Sequence, residues 1–209
     1  MTIRIAMDLE FYAIETGADD TKLIQLGYCI FDTESRLILY TGGDYLKINI
    51  PLSPYIINLT GIKQRHLDEK GISVVEAVEN MNSKCLEYGV GFNQFTTWGG
   101  GDVEALLNSY LKEKGLESHP RHQLFDTGWK FGTSYLNLKS VYQAMRIRNG
   151  KSRKGGLKKS MNSVGVDWQI FNEVVAINDN GRESIRQRSA HDARCDSLNT
   201  ALMYLELFK

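Results

Sequence analysis

The chain lacks the features that mark secreted and membrane-embedded proteins. Its 209 residues include three cysteines, Cys29, Cys85 and Cys195. This odd and sparse set shows no metal-site spacing, and it predicts reduced thiols in a cytoplasmic compartment. No apolar run is long enough to cross a bilayer, and the first residues show no signal-peptide pattern. These absences predict a soluble, cytoplasmic protein that does not engage a membrane.

Charge of one sign is not in excess either. The formal net charge is zero, so the chain lacks the simplest signature of a nucleic-acid binder, a strongly basic composition. The distribution is uneven, because the segment 146–159, RIRNGKSRKGGLKK, contains basic residues and no acid. Such a run can hold a polyanion beside an acidic metal centre, and we assign nucleic-acid contacts to Lys151, Arg153 and Lys154. The alternative is a solvated, glycine-containing loop.

The sequence shows no sign of a domain boundary, and we therefore predict one domain over residues 1–209. No repeat, low-complexity tract or proline-rich linker interrupts it, and its length suffices for a core without disulfides. Strand patterns and helix patterns can be assigned along the chain. The strands are predicted at 4–9, 23–32, 37–48, 95–98 and 123–125, and the helices at 74–88, 103–114, 138–145 and 193–207. Three strands followed by alternating helices and strands favour an α/β fold without choosing among its topologies.

Two carboxylates end the first predicted strand. Asp8 and Glu10 follow the apolar run that begins at Ile3, and side chains two apart on a strand share a face. Neighbouring carboxylates repel each other, and a hard divalent cation with oxygen ligands would relieve that repulsion. The alternative is that both acids simply mark a strand leaving the core.

A third acid, Asp102, begins a predicted helix after the glycine turn 99–101. Aspartate is a favourable residue at a helix start, so capping alone explains it. The segment before the turn ends like a core strand at Trp98. If that strand lies beside the first one, Asp102 comes close to Asp8.

The last predicted helix carries Asp196 on an apolar stripe, where an ionised carboxylate is costly unless it is paired or bound to metal. Asp192 lies one turn earlier and is either a competing ligand or the helix cap. His191 precedes both acids, and taken alone it would be a packed or capping histidine. Four acids and a histidine in these settings indicate a two-metal phosphodiester hydrolase.

The ordered motifs resemble those of the DEDDh exonucleases: D-x-E at Asp8 and Glu10, an isolated Asp102, and H-D-A-x-x-D from His191 to Asp196. The stretch NLTGIKQRHL at 58–67 is similar to the T-G-I segment that follows the third strand in that superfamily. Together with D-L-E-F and I-x-L-G-Y, it looks most like the Eri-like exoribonucleases, with RNase T and DnaQ-type proofreading domains as more distant relatives.

The resemblance implies an RNase H-like fold, with a mixed five-stranded sheet flanked by helices. It implies two divalent cations, Mg²⁺ or Mn²⁺, held by Asp8, Glu10, Asp102 and Asp196. In that arrangement Asp8 bridges both ions, and Glu10 and Asp196 hold the ion that carries the attacking water. His191 acts as the general base, and 5′-mononucleotides leave a 3′ end.

The resemblance also implies how the 3′ end is held. The backbone near Phe11 contacts the terminal sugar, although Phe11 replaces the small residue that many members carry. Leu59 and Ile62 pack on the last base. The alternative is that Phe11, Leu59 and Ile62 are core residues. The partners are single-stranded RNA or DNA 3′ ends, with RNA favoured and a DNA-specific 3′ exonuclease as the alternative. The protein is a monomer or a homodimer.

Two other functions fit the same residues. One is a non-catalytic nucleic-acid-binding regulator that keeps the metal site only for structure, and the other is an RNase H-like endonuclease. The complete set of acids and the placement of His191 favour the exonuclease. The stretch 166–190 is longer than the family pattern, and we predict a hairpin there, with its turn at 178–181, that shapes substrate entry beside His191.

Overall fold

A mixed five-stranded sheet forms the centre of this computed structural model, which describes residues 2–12, 22–117, 121–152, 155–177, 183–188 and 191–209. The strands are β1 (Ile3–Tyr12), β2 (Lys22–Asp32), β3 (Ile38–Tyr45), β4 (Phe95–Thr97) and β5 (Tyr135–Asn137). Their order in the sheet is β3-β2-β1-β4-β5. β1 is antiparallel to β2 and parallel to β4. This arrangement confirms the predicted fold class.

Helices flank the sheet, and in the described sequence four of them lie between its strands and three follow β5. They are α1 (Pro54–Thr60), α2 (Gln64–Lys70), α3 (Val74–Tyr88), α4 (Asp102–Glu113), α5 (Leu138–Arg148), α6 (Leu157–Ser163) and α7 (Ala193–Leu207). Side-chain caps define several of the starts. Ser53 accepts a hydrogen bond from the Ile56 N–H at the start of α1, and Ser73 accepts one from the Glu76 N–H at the start of α3.

The alternation along β1 separates the two faces of the sheet. Ile5, Met7 and Leu9 belong to the main core, which includes residues of α3 and α4. Ala6 faces the other side and packs in a cluster with Ala201 of α7. Because side chains alternate along a strand, Asp8 and Glu10 share the face of Ala6 and therefore the face that α7 covers.

Three predicted helices, 74–88, 103–114 and 193–207, correspond to α3, α4 and α7, and the fourth, 138–145, lies within the longer α5. The strand predicted at 123–125 is wrong, because Arg121–Thr127 is a 3₁₀ helix and the fifth strand is Tyr135–Asn137. α1, α2 and α6 were not predicted. Each has seven residues, about two turns, which is too short for a helical period to appear in the sequence.

The predicted hairpin before His191 is present as two antiparallel strands, β6 (Phe171–Ile177) and β7 (Glu183–Arg188), which form a separate sheet. Its predicted turn at 178–181 lies outside the described residues. The stem begins next to α7, where the Asn199 Oδ1 accepts from the Gln169 N–H at 2.9 Å and the Asn199 Nδ2 donates to the Gln169 carbonyl at 2.9 Å. Within the described ranges, no helix has the length and apolar character needed to span a membrane.

Candidate active site

Asp8 and Glu10 lie near the end of the central strand. They pair in register with Gly27 and Gln25 of β2, and a β-bulge follows between Glu10 and Phe11. Bulges re-aim side chains and end regular pairing, and they are frequent beside active sites. Only 8% of Glu10 is exposed, so its carboxylate has left most of its water.

The start of α7 lies directly on β2 at this point. A Cβ atom on Gly27 would be 2.1 Å from the carbonyl carbon and oxygen of Ala193, so only glycine permits the helix to come this close. Gln25 fixes the same contact, because its buried Oε1 accepts a hydrogen bond from the Ala193 N–H at 2.9 Å. The first turn of α7 is thereby held beside Asp8 and Glu10.

His191, Asp192 and Asp196 occupy this first turn in different ways. Asp192 is the N-cap, and its Oδ1 accepts from the Arg194 N–H at 3.1 Å, which supports the capping alternative over the ligand alternative. His191 has a positive φ of 62°, and its backbone N–H donates to the Asp196 Oδ2 at 3.2 Å. The other oxygen, Asp196 Oδ1, is buried and has no hydrogen-bond partner within the described part of the chain.

Glu10, His191 and Asp196 form a group that could hold a metal ion. One ligand atom from each residue lies within 4.8 Å of the ligand atoms of the other two. Carboxylate oxygens suit Mg²⁺ and Mn²⁺, and an imidazole nitrogen is a ligand for several divalent metals. The buried Asp196 Oδ1 fits such an ion, because a buried acceptor without a partner is costly and a cation would satisfy it.

Asp8 and Asp102 extend this group. Asp102 is the first residue of α4 and follows Gly101, whose φ of 98° requires glycine for the turn out of β4. Because β4 is parallel to β1, the two strands bring Asp102 and Asp8 to the same edge of the sheet. Asp8 and Asp102 are not members of the close group of three donors. The negative charge of Asp102 nevertheless helps to raise the pKa of both Asp8 and Glu10.

The clustering of acids in this partly buried site raises the pKa of all four carboxyl groups, those of Asp8, Glu10, Asp102 and Asp196. Burial is the largest cause in each case, and neighbouring acids add to it. The pKa of Glu10 rises to about 8, that of Asp196 to about 7 and that of Asp102 to about 6. The pKa of Asp8 is raised well above its usual range by burial and by Asp196, Glu10, Asp102 and Asp192. The site therefore favours bound cations at neutral pH.

The three apolar residues expected to contact substrate have different surroundings. Phe11 is half-buried against the main core, and Leu59 on α1 is 38% exposed. Ile62 has no exposed surface and packs in a second core cluster. Its assignment to base contact is therefore replaced by a core role. Tyr55, one turn before Leu59 and 67% exposed, is a candidate contact that the sequence analysis missed.

The basic segment returns to the edge of the site. The Trp98 Nε1 donates to the Gly155 carbonyl at 3.1 Å, and Trp98 directly precedes the glycine turn to Asp102. Within the segment, the Arg146 side chain holds the local backbone, because its Nε donates to the Ser152 carbonyl at 2.9 Å. Lys151 is exposed. Arg153 and Lys154, also assigned to nucleic-acid contact, lie outside the described residues.

Sequence reasoning also missed Gln25 and Gly27, which place α7. Only Gly27 could have been recognised from the sequence, because a glycine inside an apolar strand indicates a close approach of another backbone.

Solved structures of several nucleases share the fold of this chain. No protein-family model matches the chain, and no curated protein matches it in sequence. The nuclease domain of 3′hExo, a DEDDh family member bound to rAMP, superposes with a TM-score of 0.71 and 18% identity, covering 98% of this chain and 90% of that one. Cell-death related nuclease 4 (CRN-4) gives a TM-score of 0.73 and 18% identity, covering 98% of this chain and 63% of that one.

Exonuclease I has the same fold at a TM-score of 0.67 and 16% identity, with 99% of this chain and 41% of that one covered. The chain spans about 60% of the length of a full-length 3′-exonuclease that it also matches. The fold of this chain is therefore the fold of DEDDh-family 3′-exonucleases.

Proposed function

We propose that this chain is a metal-dependent 3′-5′ exonuclease that hydrolyses the phosphodiester bonds of single-stranded RNA or DNA from a 3′ end. One observation carries the proposal: Glu10, His191 and Asp196 converge within 4.8 Å, on a fold shared with DEDDh exonucleases. The orphaned Asp196 Oδ1 and the raised carboxyl pKa values support a cationic occupant of this group.

The residues of the site have different roles in hydrolysis. Asp8, Glu10, Asp102 and Asp196 would hold the divalent cations, Mg²⁺ or Mn²⁺, and the charge of these cations would neutralise the phosphate and activate water. His191 is exposed at the rim of this group, so its imidazole can accept a proton from the attacking water. The bond from phosphorus to the preceding 3′ oxygen breaks, and a 5′-mononucleotide leaves.

The surfaces around this group indicate how a substrate strand would be bound. Leu59 and Tyr55 present apolar and aromatic surface on α1, which suits base faces without sequence preference. Lys151, Arg153 and Lys154 belong to the basic segment that returns to Trp98, and we assign phosphate contacts to them. One similar structure is of a 3′-exonuclease that recognises a histone mRNA stem-loop, and another is of E. coli exonuclease I with a dA16 oligonucleotide. RNA is the favoured substrate here, with DNA as the alternative.

Digestion of end-labelled strands tests the proposal. With Mg²⁺ or Mn²⁺, we expect early release of a 3′ label as mononucleotide from linear RNA or DNA, and no cleavage of a circular strand. We expect Asp8→Asn to remove the activity and Asp126→Asn, which changes an exposed acid outside the site, to keep it. Cleavage of the circle would indicate an endonuclease. Binding without cleavage of any strand would indicate a non-catalytic regulator.

A further inference from the structure

The glycine turn 99–101, between β4 and α4, determines where Asp102 lies. Asp102 is the first residue of α4, and the residue at the cap position is Gly101, which has no side chain. The Asp102 carboxylate is therefore not used as the helix cap. A Cβ atom on Gly99 would lie 4.0 Å from the Asp102 Oδ2, so this carboxylate is close to the beginning of the same turn. Its position thus depends on the shape of the turn.

Two side-chain hydroxyl groups hold this turn at its two ends. At the first end, the Thr97 Oγ1 donates a hydrogen bond to the Gly99 carbonyl at 2.5 Å. At the second end, the Gly101 N–H donates to the Tyr135 Oη at 3.2 Å. Thr97 belongs to β4, the strand that enters the turn, whereas Tyr135 belongs to β5, the next strand in the sheet. The turn is therefore tied to both strands.

Tyr135 can fix the turn because its own position is fixed. Its backbone pairs in register with Phe95 of β4, and its ring packs against the main core. β5 also lies close to the middle of the turn, since a Cβ atom on Gly100 would be 3.2 Å from the Asn137 Nδ2 and 3.7 Å from the Tyr135 Oη. Loss of the Tyr135 hydroxyl would release the end of the turn that leads directly into Asp102.

We propose that Tyr135 is a positioning residue that sets the place of the Asp102 carboxylate beside the metal-binding group. Its hydroxyl acts through the backbone of Gly101, the residue before Asp102, and does not itself contact the metal. Removal of a residue that orients a metal ligand typically costs about 10–100-fold in metal affinity or activity. The proposal rests on the proposed function, because it takes Asp102 as one of the metal ligands.

Tyr135→Phe tests the proposal, because it removes the hydroxyl and keeps the ring. Tyr110→Phe is the matched control. The Tyr110 hydroxyl also bonds to backbone, donating to the Thr127 carbonyl at 2.8 Å, but it lies about two helical turns after Asp102. Three measurements are made on each protein: the Mn²⁺ dissociation constant by calorimetry without substrate, kcat and KM on a 3′-labelled ten-nucleotide strand, and the Tm in EDTA.

We expect Tyr135→Phe to weaken Mn²⁺ binding by about tenfold. At a Mn²⁺ concentration near the wild-type dissociation constant, kcat should fall, whereas KM should be unchanged because the contacts to the strand remain. Tyr110→Phe should lower the Tm in EDTA and leave the Mn²⁺ dissociation constant at the wild-type value. Wild-type Mn²⁺ affinity and kcat in Tyr135→Phe would overturn the proposal.

A double-mutant cycle separates an effect through Asp102 from a general effect on the fold. Asp102→Asn removes the charge that Tyr135 is proposed to place. In the Asp102→Asn background, Tyr135→Phe should therefore change the Mn²⁺ dissociation constant by less than about twofold. The same tenfold loss in both backgrounds, expected for independent sites at about that size, would mean that Tyr135 acts elsewhere and would also overturn the proposal.

The two proposals fail in different ways. If the wild type binds Mn²⁺ but hydrolyses no strand, the exonuclease activity is refuted, and the Mn²⁺ affinities of the variants still decide the role of Tyr135. If the wild type hydrolyses the strand and Tyr135→Phe equals it in Mn²⁺ affinity and rate, the role of Tyr135 is refuted and the exonuclease stands.

Discussion

Asp192 and Asp196 are four residues apart at the start of α7, yet their carboxylates have different surroundings. Asp192 is hydrogen-bonded to the Arg194 N–H as the helix cap. Asp196 has one oxygen on the His191 N–H and the other buried without a partner in the described structure. Since one position needs a hydrogen-bond acceptor and the other needs charge, the same substitution should have different effects at the two positions.

Asn is as good a helix cap as Asp, so Asp192→Asn should keep the nuclease rate within a few-fold of wild type. Asp196→Asn removes charge from the metal group, and we expect a loss of at least about 100-fold. Steady-state kinetics on a 3′-labelled strand measures both. Equal losses at the two positions would contradict the distinction between cap and ligand.

His191 has two possible uses, since its nitrogen lies within the metal-binding group and its ring is exposed. If it is the general base, His191→Gln should lower kcat by about 10²–10⁴-fold and leave the Mn²⁺-induced rise in Tm unchanged. Thermal unfolding with and without Mn²⁺, beside single-turnover kinetics, separates the two uses. A simultaneous loss of rate and of Mn²⁺ stabilisation would make His191 a ligand.

The residue types of the site were visible in the sequence because charge at the end of an apolar strand and on a buried helix face demands an explanation. Asp8, Glu10 and Asp196 were predicted as metal ligands in that way, and the structure brings Glu10 and Asp196 together. Gln25 could not be, because it acts on the Ala193 N–H, 168 residues away in sequence. Ile62 was misassigned because an apolar residue after a short helix looks the same in sequence whether it faces a base or the core.

At the scale of whole elements, long periodic segments were predictable and short ones were not. α3 and α7 have fifteen residues each, enough for several repeats of the helical period. β5 has three residues, so no alternation can develop. Its place at the edge of the sheet depends on pairing with β4, which is a tertiary contact that no local pattern contains.

The close contact between α7 and β2 should be required for both stability and activity. Gly27→Ala would place a Cβ 2.1 Å from the Ala193 backbone, so the helix must move away from Asp8. We expect the free energy of unfolding to fall by about 1–3 kcal/mol and the nuclease rate to fall as well, because His191 and Asp196 move with the helix. Denaturant unfolding and the nuclease assay provide the two measurements.

Gly91→Ala is the matched control for this substitution. A Cβ on Gly91 would meet the Gln94 side chain at 3.5 Å, an ordinary contact distance, so stability and activity should stay close to wild type. An equally small effect of Gly27→Ala would mean that α7 adjusts without disturbing the site.

At the scale of the whole molecule, the buried acids oppose folding when no cation is present. In the unfolded chain, aspartate and glutamate ionise near pH 4, whereas folding raises the pKa of Asp196 to about 7 and that of Glu10 to about 8. Between about pH 4 and pH 8 the folded state thus binds more protons than the unfolded state. The free energy of unfolding must then fall as pH rises through this window.

Divalent cations should reverse this trend, because they bind the ionised carboxylates of the folded state. Without metal, we expect a lower Tm at pH 8 than at pH 5.5. At pH 8, Mg²⁺ or Mn²⁺ at about 100 times its dissociation constant at that pH adds about 2.7 kcal/mol, or roughly 5–10 °C in Tm for a chain of this size. The same metal concentration should give a smaller rise at pH 5.5, because more protons compete with the metal there. Asp196→Asn should weaken both the pH dependence and the metal effect. The same metal-induced rise at both pH values would show that these carboxylates are not the ligands.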